Sequence, residues 1–77
     1  MSEIVVIRVI SGEAEAEALL DRLELIMGLP GERVPGARRY DLSGTRDWLI
    51  AVASMRAHLE ELDPEWERRL DLQVNTN

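Results

Sequence analysis

No cysteine occurs among the 77 residues, so disulfides, thiolate zinc sites and cysteine nucleophiles are excluded at the outset. Lysine is absent as well, and all nine basic residues are arginine. No apolar run approaches the ~18 residues that a membrane-spanning helix needs. Glu3 stands where a secretory signal would carry basic residues, which predicts a cytoplasmic protein. No internal repeat, low-complexity segment or linker interrupts the chain, so residues 1–77 read as a single domain. A domain of this length buries only about 60% of the surface its unfolded chain exposes. Its core is small, and with disulfides and thiolate zinc sites excluded the remaining common supplement is a partner surface.

Acids outnumber bases by fifteen to nine, a net charge of −6. Such a surface repels nucleic acid and anionic lipid, because binding to DNA relies on basic side chains displacing counterions from phosphates. The same sign admits the opposite role, an acidic protein that occupies the basic groove of a nucleic-acid-processing partner.

The stretch EIVVIRVI, residues 3–10, is almost entirely β-branched and predicts a central strand from Glu3 to Ile10. Ser11 is placed to cap a helix whose first turn holds Glu13 and Glu15, acids suited to the positive end of the helix dipole. Ala16, Leu19, Leu20, Leu23, Ile26 and Met27 recur at three and four, and Gly28-Leu29-Pro30 reads as a left-handed cap followed by a helix breaker. Pro35-Gly36 suits a type II turn between a short extended piece near Arg33-Val34 and a strand from Ala37 to Leu42. In that strand Tyr40 and Leu42 share one face while Arg39 and Asp41 share the other. Ser43 or Thr45 is placed to cap a second helix with Asp47 in its first turn, and Trp48, Val52, Met55, Leu59 and Leu62 form its apolar stripe. Asp63-Pro64 ends it. For residues 64–70 two readings stand: a short helix capped by Asp63 with Pro64 at its first position, or the approach to a strand in which Leu70, Leu72 and Val74 alternate with polar residues. The polar tail Asn75-Thr76-Asn77 reads as frayed.

The order β-α-(β)-β-α-β predicts an α+β two-layer sandwich: a small mixed or antiparallel sheet with both helices on one face, of the ferredoxin-like or split βαβ kind. In a strand, side chains alternate, so Val5, Ile7 and Val9 point toward Leu23, Val52 and Leu59 of the helices, while Ile4, Val6 and Ile10 point away. Leaving those three exposed forgoes ~1.5–3 kcal/mol per side chain relative to burial. The expectation is that Ile4, Val6 and Ile10 form a partner interface, with a second copy as the first candidate. The competing reading folds the loop from Leu29 to Val34 over them.

Chemistry is sparse. Ser54, His58 and Glu61 lie on consecutive turns of one helix, which supplies neither an oriented base nor an oxyanion hole, so no catalytic residue is assigned. Glu60, Glu61, Asp63, Glu65 and Glu67 match no EF-hand or His-carboxylate spacing, and no metal or cofactor is expected. Arg38, Arg39, Thr45 and Arg46 gather near the start of the second helix and form a possible anion site. Glu17, Asp21 and Glu24, spaced four and three apart, put three carboxylates on one helix ridge at a cost of a few tenths of a kcal/mol per like-charged pair. With Glu60 and Glu61 they form an acidic surface whose natural target is basic. The resulting expectation is a non-enzymatic protein-binding domain, regulatory or accessory, working as a homodimer through its sheet face. The alternatives are an acidic inhibitor of a nucleic-acid-processing protein complex, of the kind small phage proteins provide, and a small-anion binding module. Direct nucleic-acid or membrane binding is not expected.

Overall fold

A computed structural model describes residues 3–76. The strand β1 (Glu3–Val9) leads into the helix α1 (Glu13–Met27), a short strand β2 (Glu32–Val34), β3 (Ala37–Asp41), the helix α2 (Trp48–Leu62), a 3₁₀ turn over Trp66–Arg68, and β4 (Leu70–Thr76). The four strands form one antiparallel sheet in the order β2-β3-β1-β4. β1 and β2, joined through α1, flank β3, and β3 and β4, joined through α2, flank β1. Both helices pack on one side of this sheet, so the chain is an α+β two-layer fold. Among the described residues no helix is long and apolar enough to cross a membrane.

Alternation along β1 decides the layering. Val5 and Ile7 are fully buried and meet Leu20, Leu23, Val52, Met55 and Leu59 in one core, which Tyr40, Leu70 and Leu72 complete from the flanking strands. The apolar stripes of both helices therefore face the sheet as their spacing requires, except at Ile26, which is exposed near the end of α1. Gly28 ends α1 in the left-handed conformation at φ 62°, its N–H donating to the carbonyl of Glu24, a backbone state that favours glycine. Trp66 is buried under the 3₁₀ turn and donates its indole N–H to Glu60 at 2.9 Å. The two readings of residues 64–70 thus each hold in part: a helical turn over Trp66–Arg68, then a strand from Leu70.

Several local expectations are corrected. β1 ends at Val9, and Ile10 lies beyond it. Gly12, not Ser11, precedes α1; the Ser11 hydroxyl donates instead to the carbonyl of Arg68 at 2.8 Å, tying the β1-α1 loop to the approach of β4. Neither Ser43 nor Thr45 caps α2: Thr45 N–H closes a turn onto the carbonyl of Leu42 at 2.9 Å, and Asp47 sits at the N-cap without a side-chain capping bond. Asn75 and Thr76 are not frayed but belong to β4, paired with Ile4 and Glu3. Asn77 lies outside the described residues.

Candidate functional site

Strand alternation from Tyr40 places Arg38 on the helix-facing side of β3, opposite Ile7, and its side chain is almost entirely buried, at 1% exposure for the residue. A buried guanidinium is tolerated only when paired and hydrogen-bonded. Its partners are the three acids of the α1 ridge. Arg38 Nη2 donates to Glu17 Oε1 at 2.6 Å and to Asp21 Oδ1 at 2.8 Å, and Nη1 donates to Glu24 Oε2. Glu24 Oε2 also accepts the Tyr40 hydroxyl at 2.9 Å, and Oε1 accepts the Gly31 N–H at 3.3 Å. Gly31 is what allows that approach: a Cβ there would lie 2.6 Å from the Tyr40 ring and 2.7 Å from Glu24 Oε2. Arg33 of β2 adds a second, exposed positive charge, with Nη2 at 3.7 Å from Asp21 and 3.9 Å from Glu17. Among the described residues the Nε of Arg38 is buried without a hydrogen-bond partner.

Burial pushes the Arg38 guanidinium down, but the hydrogen bonds from Glu17, Asp21 and Glu24 outweigh it and hold the group above its ordinary range. Tyr40 is likewise raised above the ordinary phenol value, first by burial and then by its bond to Glu24. Outside this cluster, Asp41 is held below the usual carboxylate range by bonds from Ser43 and by Arg39 nearby. Asp63 is held low by the Glu65 N–H and by Arg69, whose Nε lies at 3.1 Å.

These positions change the reading of two groups of residues. Glu17, Asp21 and Glu24 do form one ridge, but its charge is answered within the chain by Arg38 and Arg33 rather than held open for a basic partner. Glu60 is engaged by Trp66, and Glu61 lies 3.8 Å from His58. The four residues of the anion site are not brought together. Arg38 is buried in the α1 cluster, Arg39 lies on the opposite side of the sheet and donates to Glu32 at 3.2 Å, and Thr45 and Arg46 sit in the exposed segment before α2. Among the described residues no hydrogen bond joins Ser54 to His58, and no group of three or more His, Asp or Glu side chains is arranged to hold a metal ion.

The sheet side away from the helices carries Ile4, Val6 and Arg8 of β1. Ile4 lies between Asp41 and Asn75, Val6 between Arg39 and Gln73, and Arg8 between Ala37 and Asp71. Ile4 and Val6 are only partly exposed. Ile10, at 59% exposure, lines the clefts at the end of the sheet with Val9 and Gly36 and is not part of this strand face.

No family model, curated protein or solved structure matches this chain.

Two predictions follow from the Arg38 cluster. Removing all three acids (Glu17→Ala, Asp21→Ala, Glu24→Ala) strands a buried guanidinium and costs about 3–5 kcal/mol, whereas Arg38→Met alone leaves carboxylates that can turn to water and costs less. Adding Arg38→Met to the triple variant therefore restores stability in urea unfolding; a further loss on adding it would contradict the arrangement. Tyr40 is the sole tyrosine, so phenolate absorbance reports it alone. Its folded-state value is raised, so its contribution to stability is complete below the unfolded value of about 10 and is lost as pH rises toward the folded value. Phenolate absorbance is expected to appear only together with alkaline unfolding, and a reversible titration in the folded protein at about pH 10 would refute the burial.

Proposed function

We propose that this chain is a small non-enzymatic accessory domain that acts by binding protein, and that a partner protein sits on the open face of its sheet. The supporting observation is the composition of that face: two β-branched side chains of the central strand, Ile4 and Val6, ringed by Arg8, Arg39, Asp41, Asp71, Gln73 and Asn75. An apolar centre within a polar rim of mixed charge is the anatomy of a protein interface, and mixed signs favour a specific partner over a uniformly charged one.

Magnitudes bear on who the partner is. In a homodimer joined face to face, four side chains already more than half covered would return at most about 1 kcal/mol each. That sum lies at the bottom of the ~4–15 kcal/mol that association costs. The missing third anchor, Ile10, weakens such a dimer further. A different protein that brings its own larger apolar side chains fits the face better than a copy of it does. The acidic-inhibitor reading draws less support, since the α1 ridge is engaged by Arg38 and Arg33. The anion-binding reading loses Arg38 in the same way.

Affinity capture with the immobilised domain from the cells that make it tests the face. Val6→Lys is expected to lose specific partners that wild type and the outer-helix control Ala53→Lys both retain, with unfolding midpoints unchanged to within about 0.5 kcal/mol. Identical capture by wild type and Val6→Lys would refute the proposal.

A further inference from the structure

The two edges of the sheet are built differently. β2 is three residues long, carries the charged Glu32 and Arg33, and lies between Pro30 and Pro35. Short length, charge and proline are the devices by which proteins keep an exposed edge from pairing. β4 is neither short nor interrupted by proline. It runs seven residues, Leu70–Thr76, with Asp71 its one charged residue, no proline, and an unbroken register along all of β1. Among the described residues its outer edge is unpaired.

The hydrogen-bonding direction along β4 can be read from its neighbour. The Ile10 N–H donates to the carbonyl of Arg69 at 2.7 Å, so by antiparallel alternation Asp71, Gln73 and Asn75 direct their backbone groups to β1. Leu70, Leu72, Val74 and Thr76 then turn their N–H and C=O outward. The residues with outward backbone groups are also the ones whose side chains face the helix layer, where Leu72 is buried and Val74 is only partly so.

We infer that β4 pairs antiparallel with β4 of a second copy about a two-fold axis at Gln73, joining two sheets into one continuous sheet. The segment LDLQVNT is self-complementary in that register. Leu72 meets Val74 of the other copy, and Leu70 meets Thr76, each pair using outward backbone groups, so the apolar side chains extend both cores across the junction. On the other face Asp71 meets Asn75, an acceptor opposite a donor, and Gln73 meets its own copy, amide to amide. No like charges oppose one another. A two-fold contact requires this kind of self-match, and a sequence drawn for another strand has no reason to show it. The pairing leaves the open face uncovered and places two such faces side by side, so it is independent of the partner proposed for that face.

Multi-angle light scattering at high micromolar concentration tests the pairing. Wild type is expected at twice the single-chain mass. Val74→Pro removes an outward N–H without touching the β1 ladder and is expected at the single-chain mass with its circular dichroism retained. Should Val74→Pro unfold, charge variants at the exposed Asn75 decide. Asn75→Asp sets two carboxylates opposite Asp71 of the other copy and weakens dimerisation roughly 2- to 30-fold, while Asn75→Lys strengthens it by a similar factor. The matched pair Ala53→Asp and Ala53→Lys controls for net charge. A single-chain mass for wild type, or Asn75 variants that shift no more than the Ala53 pair, would overturn the inference and leave the edge free or reserved for another protein's strand. Val6→Lys should leave the mass unchanged, so failure of the edge and failure of the open face are read separately.

Discussion

A guanidinium buried inside a two-layer domain of this size has to be met by anions, and here that constraint organises the molecule. Arg38 enters the layer between sheet and helices from β3, and α1 supplies Glu17, Asp21 and Glu24 on consecutive turns to receive it. Buried ion pairs contribute little net stability against well-packed apolar residues, but breaking one is costly, so their effect is felt most in which arrangement is allowed. Sliding β3 by one residue would turn Arg38 to the open face, leave three carboxylates unanswered and expose Tyr40. The cluster therefore fixes the register of β3 against β1 and the seat of α1 above it. Tyr40 and Gly31 bind to the same Glu24, which brings the loop after α1 into the same arrangement and sets where β2 begins.

With α1 seated over β3 and α2 completing the core, the consequences for the rest of the surface follow. Among the described residues the helices cover one side of the sheet and leave the other open. The acidic ridge, which in isolation reads as a target for a basic partner, is engaged by Arg38 and Arg33, and most of the net charge of −6 is carried by other parts of the surface. The open sheet face and the free edge of β4 are adjoining surfaces that expose different groups. The face offers side chains, apolar at Ile4 and Val6 with a charged rim. The edge offers backbone hydrogen-bonding groups in a row that nothing on the strand blocks. A domain that pairs along the edge and receives a partner on the face uses both without competition.

Much of the layering is legible in the residues themselves. The stripe from Val52 to Leu59, the stripe from Ala16 to Leu23 and the alternation of Val5 and Ile7 each report a buried face, because periodicity is a direct imprint of which side meets the core. Gly28 and Gly36 mark a helix end and a turn for the same kind of local reason. The helix starts were less legible: Ser11 and Thr45 are good capping residues by type, but Ser11 is used by Arg68 across 57 positions of sequence and Thr45 by a turn, so tertiary contacts overrode local preference. The Arg38 cluster was readable in principle. Counting by twos from Tyr40 puts Arg38 inward, and an inward arginine facing an acidic i, i+4, i+7 ridge is a matched pair of anomalies. Taken separately, the two halves read as an anion site and a basic target; only their juxtaposition shows that each is the other's partner. The open apolar face is smaller than alternation alone indicates, because Ile10 falls past the end of β1 and Arg39 and Gln73 flank Val6.

The most direct test of this account is nuclear magnetic resonance of the arginine side chains. Arg38, locked by three carboxylates, is expected to show separate, slowly exchanging Nη resonances that collapse when Glu17, Asp21 and Glu24 are replaced. A single averaged Nη signal for Arg38, like that of the exposed Arg46 and Arg56, would mean that the guanidinium is free and that the register and helix placement rest on something else.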